Sequence, residues 1–512
     1  MSADNLPKAT PPADPEEPQE EKPKVKIRCG VFFDGTLNNR TNINQRLVAI
    51  SEDKTTDKKL TDEELAVVQD VKSKMSDEDI LNAMVLYDKY KADDPNDDNS
   101  YEAFYSNVVK LERHLDTTGD AEYQHKLKVY VEGSGSINKG KDDWKGFAFA
   151  KGMAGIEKKV DWGLEKVLVA IKDSHRRKEE PITLITLDVI GFSRGAAAAR
   201  YFIHRALYDY DGAKYRAYQE TIKQSGDPDI GAYLDALKAL QAVKAALQDN
   251  GYTVGEVKIC FAGLFDTVSS FGYLLPLNSN NTEDLSLDAV KLAEEAVHLV
   301  SADEHRTYFS LTNIASAGGN GREVYLPGVH SDIGGGYRET GDEQQVIYRG
   351  FKAQAEADRQ RLIKTGWYTE EEIKLKVLGP VGPKSPTLLA QTEVTRPGIS
   401  GHYNRIPLHL MAGYARKKKI VFKGALDKDE KVPEDMLGDT QQKIKDYVAQ
   451  HDGLGARTSE AKHWLDDKDW DEDKRRWMRR LRHDYFHFSA KIKMGHTPRI
   501  EGGERVRQVH RG

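Results

Sequence analysis

The feature that most constrains the fold is a G-x-S-x-G pentapeptide placed between a strand pattern and a helix pattern. Residues 182–190 are apolar and rich in β-branched side chains, which is typical of a buried strand. Gly191-Phe192-Ser193-Arg194-Gly195 follows at once, and Ala196–Ala199 then favour a helix. This arrangement would hold the Ser193 hydroxyl at the tip of a sharp turn, in front of the positive end of a helix dipole. The pattern predicts that Ser193 is a nucleophile.

Composition narrows the class of protein. The chain has 512 residues, of which 31% are charged and 38% hydrophobic, and its net charge of −6 argues against nucleic acid as a partner. Two cysteines, Cys29 and Cys260, cannot build a disulfide framework or a zinc site alone. The sequence shows neither a membrane-spanning apolar run nor a classical signal peptide. We therefore expect cytoplasmic folding and, for an exported protein, a route without a cleavable signal.

The chain divides into segments by composition and periodicity. Residues 1–24 contain six of the eighteen prolines and many glutamates, which is typical of a disordered tether. Residues 25–345 are expected to form one catalytic core, interrupted by charged, helix-patterned insertions at about 40–125 and 207–250. Residues 346–512 are predicted to be mostly helical.

Apolar runs that alternate with helical patterns indicate the fold class. The run before Ser193 is one predicted strand. Further strands are predicted at Val25–Phe33, Leu127–Val131, Val257–Phe265 and Arg322–Leu326. A helix is predicted near 286–301. Strands that are apolar throughout predict a mostly parallel sheet with helices on both faces. The expected class is therefore α/β, with large helical insertions.

Four of the predicted strands end in polar, turn-rich segments, which contain Asp34, Ser193, Asp266 and His330. The carboxyl ends of parallel strands meet at one edge of a sheet, where ligands and catalytic groups gather. Serine, then acid, then histidine is also the chain order of the α/β-hydrolase fold. The order predicts an α/β-hydrolase-like sheet with its chemistry at that edge.

A serine hydroxyl needs a base within hydrogen-bond reach, and the base needs a partner that fixes its tautomer. We expect His330 to be the base and Asp266 the acid that orients it. His409 lies in a segment typical of a packed core, and His487 lies late in the sequence, where a catalytic histidine also occurs. Asp332 is the alternative acid, but a side chain two residues from His330 on an extended chain points away from it.

Backbone N–H groups are expected to stabilise an oxyanion. The N–H of Arg194 is one predicted donor, and the loop with Gly35 and Thr36 is the candidate for the second. That loop resembles the D-x-D-G-T loop of phosphatases, but position 32 is phenylalanine where that chemistry needs its aspartate nucleophile. The sequence contains no Walker loop or H-E-x-x-H helix, so no metal or other cofactor is expected.

A basic stretch late in the sequence allows two interpretations. Residues 474–512 contain twelve Lys and Arg against three Asp and Glu, a local net charge of about +9. Trp470, Trp477 and Leu481 would share one face of a helix. Such a helix could lie on anionic lipid or act as a lid, but packing on the core is commoner and is the favoured interpretation.

Four motifs taken together resemble one family. They are Phe32–Asn39 (FFDGTLNN), Gly191–Ala196 (GFSRGA), Phe265–Val268 (FDTV) and Pro327–Tyr337 (PGVHSDIGGGY). Their order is similar to that in the lipase effectors of type VI secretion. Among these effectors, the chain resembles the first family, which has a G-x-S-x-G elbow. The helical insertions and the region after residue 345 match only loosely.

The resemblance implies an α/β-hydrolase domain with phospholipase A activity on glycerophospholipids of a rival bacterium's membrane. It implies a triad of Ser193, Asp266 and His330, delivery on a type VI spike protein, a cognate immunity protein, and action on the target membrane from the periplasm. The residues alone leave two other functions open. One is a serine esterase or acyl hydrolase with a soluble substrate, and the other is a non-catalytic adaptor of the secretion apparatus that keeps the fold.

Overall fold

The computed structural model describes residues 23–53, 55, 59–91, 99–143, 155–208, 242–269, 285–383, 385–451, 470–493 and 495–512. Residues 1–22 of the expected tether and residues 209–241 of the second expected insertion lie outside these ranges.

The centre of the molecule is a six-stranded sheet in which all neighbouring strands are parallel. Its strands are β1 (Val25–Phe33), β2 (His125–Val131), β3 (Ile182–Phe192), β4 (Val254–Phe265), β5 (Ala293–Ser301) and β7 (Gly321–Leu326). The spatial order is β2-β1-β3-β4-β5-β7, so the chain leaves β1 on one side for β2 and continues on the other side with β3. Ligand crevices form outside the carboxyl ends of strands at such a switch point.

Helices α1 to α4 lie between β1 and β2. They are α1 (Arg40–Glu52), α2 (Asp62–Lys72), α3 (Asp77–Tyr90) and α4 (Asn107–His114). Capping boxes begin α2 and α3, because Thr61 and Ser76 each exchange hydrogen bonds with an acidic residue three positions later. Ile43 of α1 and Val108 of α4 are fully buried in the core that covers one face of the sheet, so these helices are packed on the central domain.

Both faces of the sheet are covered. One face packs against α5 (Ile156–Ser174), α6 (Arg194–Leu207) and α7 (Val243–Asp249), and the other against α4 and α10 (Arg405–Lys417). Successive residues of β1 show the alternation, because Val31 belongs to the first core and Phe32 to the second. A short helix, α8 (His330–Gly334), follows β7.

The segment near 286–301, predicted as a helix, is a short 3-10 helix, Leu287–Leu292, followed by strand β5. The helix prediction was therefore wrong for most of the segment. β5 pairs with β4 on one edge and β7 on the other. Pairing on both edges and burial of the strand override the helix propensity of its Ala-Glu-Glu-Ala sequence.

The region after residue 345 combines strands with helices, which differs from the mostly helical prediction. β8 (Thr340–Phe351), β9 (Ile373–Pro380) and β10 (Leu388–Ser400) form an antiparallel sheet in the order β8-β10-β9. The helices are α9 (Lys352–Lys364), α10, α11 (Ala425–Asp429), α12 (Met436–His451) and α13 (Glu472–Asp484). The expected boundary at residue 345 falls inside β8, whose many exposed polar side chains mask its strand character.

Helix α13 contains the first part of the basic stretch, and its apolar face packs on the core. Trp470, Met478 and Leu481 are buried, and Trp477 packs against the core while its Nε1 donates to Thr440 Oγ1 at 3.0 Å. The aromatic face considered for lipid contact is therefore covered by the protein itself. Among the helices of the described ranges, none has the length and apolar character needed to cross a bilayer.

Residues 495–512 return to the central domain. They include a small hairpin of β11 (Ile500–Glu501) and β12 (Glu504–Arg505), followed by β13 (Val509–His510). β13 pairs in parallel with β6 (Leu311–Thr312). The end of this region therefore packs with the structure around β4 and β5, whereas it was expected to lie outside the core.

Candidate active site

The carboxyl ends of four parallel strands meet at one edge of the central sheet. Asp34 follows β1, Ser193 follows β3, Asp266 follows β4, and His330 opens α8 shortly after β7. The fold therefore brings together the four strand-end residues that the sequence singled out, at the edge where open α/β sheets bind ligands.

Ser193 lies on a strained turn between β3 and α6. Its φ of 59° and ψ of −126° are a combination that residues other than glycine rarely adopt. The Ser193 N–H donates to Phe265 O at 3.0 Å, and the Ser193 carbonyl accepts from the N–H of Val268 at 3.3 Å. The backbone of the serine is thus tied to both sides of the loop that carries Asp266.

The two glycines of the pentapeptide permit this turn by their lack of a side chain. A Cβ atom on Gly191 would overlap the carbonyl oxygen of Gly195. A Cβ atom on Gly195 would overlap the carbonyl oxygens of Phe33 and Asp34. The start of α6 can therefore pack directly against the ends of β1 and β3, which is the geometry of a nucleophile elbow.

Asp266 and His330 form a buried hydrogen-bonded pair. His330 Nδ1 donates to Asp266 Oδ2 at 2.5 Å, and the two side chains are 5% and 0% exposed. Because an ionised carboxylate only accepts hydrogen bonds, Nδ1 carries the proton and Nε2 keeps its lone pair. The ring centroids of Phe192 and Phe309 lie 4.6 Å and 5.0 Å from the centroid of the imidazole, so both rings pack against it.

Opposing effects set the protonation of this pair. Burial raises the pKa of Asp266, but the charge of Arg507 and the hydrogen bond from His330 outweigh it and hold that pKa well below its usual range. Burial lowers the pKa of His330, and Asp266 offsets this only in part. At neutral pH the acid is therefore ionised and the histidine neutral, as a general base requires.

Ser193 and His330 line the same cavity, which has a volume of about 540 Å³. Within the described residues no hydrogen bond involves Ser193 Oγ, so its lone pairs are available to a ligand. Apolar and aromatic side chains form much of the wall: Leu37, Ala103, Val268, Tyr308, Phe309, Tyr337 and Phe488. Polar and charged side chains, among them Arg306, Glu343 and Lys491, form the rest of the wall, so the cavity presents both apolar and polar surface.

Segments far apart in the sequence form the walls of this cavity. Asn99, Glu102 and Ala103 come from the insertion between β1 and β2. The last part of the chain contributes His487, Phe488, Ser489, Lys491, Gly495 and His496. The first region was expected as an insertion within the core and the second as a region outside it, and both contribute to the site.

The predicted oxyanion donors have different surroundings. Arg194 is the first residue of α6, so its N–H lies at the positive end of the helix dipole. Thr36 lies beside it, because Arg194 Nε donates to Thr36 Oγ1 at 2.6 Å. The N–H of Gly35 instead donates to Asp34 Oδ1 at 2.8 Å. Gly35, Arg194 and Thr36 therefore stay predictions, and donation by Gly35 to an oxyanion would require its N–H to leave Asp34 Oδ1.

Asp34 lies beneath this loop and organises it. Its carboxylate accepts hydrogen bonds from Ser106 Oγ at 2.5 Å, from the Tyr130 hydroxyl at 2.7 Å and from the Gly35 N–H. Burial raises the pKa of Asp34 to about 6 despite these bonds. Asp34 therefore connects β1, β2 and the start of α4 at the site, and its carboxylate is hydrogen-bonded to other groups of the protein.

The alternative acid and one alternative histidine pair with each other. His487 Nδ1 lies 3.1 Å from Asp332 Oδ1, and the His487 ring stacks on Tyr337 at 3.6 Å between centroids. His487 lines the cavity but contacts neither Asp266 nor Ser193 through a hydrogen bond among the described residues. His409 Nε2 instead bonds to Glu430 O at 2.7 Å, outside the cavity.

Comparison with known proteins identifies the family of this fold and site. The family model "T6SS, Phospholipase effector Tle1-like, catalytic domain" matches residues 90–349, about half of the chain. The chain belongs to the Tle1-like phospholipase effectors of type VI secretion. No curated protein sequence matches this Tle1-like chain.

Two solved structures are similar to this chain to different degrees. The Tle1 effector bound to the VgrG spike of the type 6 secretion system matches with a TM-score of 0.58 and 19% identity, over 96% of this chain and 94% of that one. An uncharacterized protein from Pseudomonas aeruginosa matches with a TM-score of 0.40 and 17% identity, over 83% of this chain and 51% of that one. The first match shows that the Tle1-like chain shares the effector's fold over nearly its whole length.

Sequence reasoning missed two groups that hold the acid of the Tle1-like chain. Ser301 donates to Asp266 from its N–H at 2.9 Å and from its hydroxyl at 2.8 Å. Arg507 forms a buried ion pair with the same carboxylate at 2.7 Å. Arg507 is 241 residues from Asp266, and no motif or spacing marks it.

Glu304 is a further missed residue, on the backbone side of His330. It is fully buried and accepts from Arg306 Nη2 at 2.9 Å, from Ser489 Oγ at 3.0 Å and from the His330 N–H at 3.4 Å. Burial raises the pKa of Glu304, but Arg306 outweighs that effect and holds it well below its usual range. Arg306 also lies over the Phe309 ring, which contacts His330.

One group in the described ranges has potential metal ligands, and it lies outside the cavity that Ser193 and His330 line. Glu63, Glu339 and His402 each offer a ligand atom within 4.8 Å of the others. Arg405 lies 3.1 Å from Glu63 and 3.9 Å from Glu339, and Lys110 lies 3.3 Å from Glu63. Because two cations already balance these carboxylates, the group is accounted for as an ion-pair network.

Proposed function

We propose that the protein is a phospholipase A that cleaves acyl ester bonds of glycerophospholipids with Ser193 as nucleophile. The observation that carries this proposal is the buried Asp266–His330 pair, which shares a cavity with a serine on a nucleophile elbow. Membership of the Tle1-like phospholipase effectors supports the class of substrate.

In the proposed acylation step, His330 Nε2 removes the proton from Ser193 Oγ while that oxygen attacks the acyl carbonyl carbon. Asp266 stays ionised and stabilises the imidazolium that forms. The N–H of Arg194 stabilises the developing oxyanion, with the Thr36 backbone as the second proposed donor. The imidazolium then gives its proton to the glycerol oxygen, and the lysophospholipid leaves.

In the proposed deacylation step, His330 takes a proton from water, whose oxygen attacks the carbonyl carbon of the acyl-serine. The imidazolium returns that proton to Ser193 Oγ, and a fatty acid leaves. Each ester cleaved consumes one water molecule and restores the enzyme. The apolar wall of the cavity supports an acyl chain as the group held next to Ser193.

A labelling experiment tests the role of the serine, and the cavity offers a matched control because Ser331 also lines it. We expect a fluorophosphonate probe to label the wild type and Ser331→Ala, but not Ser193→Ala, and phospholipid vesicles to be hydrolysed by the same two proteins. Activity on soluble short-chain esters alone would favour a soluble substrate. A folded wild-type protein that shows neither labelling nor hydrolysis would favour the function of a non-catalytic adaptor.

We further propose that the protein is carried on a type VI spike and acts on the target membrane from the periplasm, while a cognate immunity protein protects the producing cell. The similar Tle1 effector is bound to a VgrG spike, which supports the first part. Expression directed to the periplasm should be toxic, whereas Ser193→Ala directed there should be harmless. Equal toxicity of the two proteins would contradict a lipolytic effect.

A further inference from the structure

A side chain from the last part of the chain is inserted beside Asp266. Arg507 Nη1 donates to Asp266 Oδ1 at 2.7 Å, and Arg507 Nη2 donates to Asp266 Oδ2 at 2.9 Å. The side chains are 8% and 0% exposed. A bidentate pair of this kind fixes the plane of the carboxylate as well as balancing its charge.

The rest of the guanidinium is also engaged. Arg507 Nε donates to Phe309 O at 2.9 Å, and Arg507 Nη1 donates to Ser301 O at 3.1 Å. Ser301 holds the same carboxylate from the other side through its N–H and hydroxyl. Phe309 contacts the His330 ring, so Arg507 contacts both the acid and a residue that packs on the base.

The backbone next to Arg507 is attached to the loop of the acid. β13 pairs with β6, and the N–H of Leu311 donates to Gln508 O at 2.9 Å. The N–H of Thr312 donates to Thr267 O at 3.0 Å, one residue from Asp266. The position of Arg507 therefore depends on the docking of residues 505–512 against β6.

Charges of both signs surround the His330 imidazole. Asp266 and Glu304 are negative and Arg306 is positive near the ring, and Arg507 is a second cation, which contacts Asp266. Because these groups balance, loss of Arg507 would leave an excess of negative charge near the ring. Negative charge favours the imidazolium, so His330 would hold its proton to higher pH.

We propose that Arg507 is a positioning residue for the catalytic acid. It holds Asp266 in the plane that orients His330 and balances the charge around the base, so that activity requires residues 505–512 to be docked on β6. The inference rests on the proposed function, because it assigns a role within the same triad.

The test uses the full chain with Arg507→Met, Arg507→Lys and the exposed control Arg511→Met, assayed on a short-chain p-nitrophenyl ester across pH. For Arg507→Met we expect kcat about tenfold or more lower with KM little changed. The midpoint of the acid limb of kcat/KM should rise by about one pH unit.

Arg507→Lys should lower kcat without moving that midpoint, because it keeps the charge and loses the bidentate contact. Arg511→Met should match the wild type.

An unmoved midpoint in Arg507→Met would overturn the inference, whether kcat stays at the wild-type value or falls. A lower kcat with an unmoved midpoint would indicate a structural role alone. If Arg507→Met fails to fold, Arg507→Lys decides, and a wild-type kcat in that variant overturns the requirement for the bidentate contact. Ser193→Ala is assayed in parallel. Absence of Ser193-dependent hydrolysis in the wild type contradicts the proposed function, whereas Ser193-dependent hydrolysis that Arg507→Met leaves unchanged contradicts this inference alone.

Discussion

His330 shows how single buried groups define this site. Its Nδ1 is bonded to an ionised carboxylate, its ring lies between two phenyl rings, and its backbone N–H contacts a second buried carboxylate. Each contact fixes the tautomer or the orientation of the imidazole. The ring therefore has, before any ligand binds, the tautomer and the orientation that its proposed role as a base requires.

Two of the histidines that line the cavity, His330 and His487, provide a direct comparison. His330→Ala removes the proposed base, so we expect kcat/KM to fall by about 10³-fold or more. His487→Ala breaks the contacts with Asp332 and Tyr337 and should lower kcat/KM by less than about tenfold, because it leaves the Asp266–His330 pair intact. Steady-state hydrolysis of a soluble ester measures both effects. A larger loss in His487→Ala than in His330→Ala would reverse the assignment.

The pH profile tests the environment of the base. Because burial lowers the pKa of His330, the neutral imidazole should persist below pH 6.5, the ordinary value for histidine. The acid limb of kcat/KM in the wild type should therefore have its midpoint below 6.5, measured with a substrate that does not titrate in this range. A midpoint above 6.5 would show that the charge of Asp266 outweighs burial.

Asp34 predicts a pH dependence of stability. Its pKa in the folded protein is about 6, above the ordinary value of 3.8, so the native state binds the proton more tightly than the unfolded state. The stability of the wild type relative to Asp34→Asn should therefore fall as pH rises from about 4 to about 6. Urea unfolding of both proteins across this range measures the difference. A difference that is constant with pH would mean that Asp34 has an ordinary pKa.

At the scale of elements, the β3–turn–α6 unit determines where the serine lies. The turn closes only because α6 starts in direct contact with the ends of β1 and β3, which requires glycine at positions 191 and 195. The strand supplies rigidity and the helix supplies N–H groups near the serine. Local sequence thus specifies this unit almost completely.

A substitution in this unit has a matched control elsewhere. Gly195→Ala should destabilise the fold by about 2–4 kcal/mol, because its Cβ would overlap the carbonyl oxygens of Phe33 and Asp34. Gly413→Ala, in α10 with nothing within 4 Å of the added Cβ, should be neutral or stabilising by about 0.5–1 kcal/mol. Denaturant unfolding measures both. Equal stability of the two variants would contradict the packing at the elbow.

The same distinction between local and distant contacts explains what the sequence could predict. The strands β1 and β3 and the turn after β3 have signals within a dozen residues, and these elements were predicted. β5 was predicted as a helix because its residues favour helices and its strand state depends on neighbours on both edges. Arg507 had no signal, because its partner Asp266 is 241 residues away and only the folded chain joins them.

At the scale of the whole molecule, the site is closed by regions outside the central sheet. The insertion between β1 and β2 contributes to the cavity wall, and the last part of the chain contributes His487, Phe488 and the ion pair to Asp266. The serine, acid and base alone would be an open sheet edge. The surrounding segments convert that edge into the cavity in which we propose that an acyl chain binds.

The most direct measurement of the central claim is mass spectrometry of the products from a glycerophospholipid with two different acyl chains, with the wild type and Ser193→Ala compared. We predict that the wild type releases a free fatty acid and the matching lysophospholipid, and the identity of that acid reports the position that is cleaved. Ser193→Ala should release neither product. Diacylglycerol or phosphatidic acid as the product, or unchanged fatty acid release by Ser193→Ala, would contradict the account.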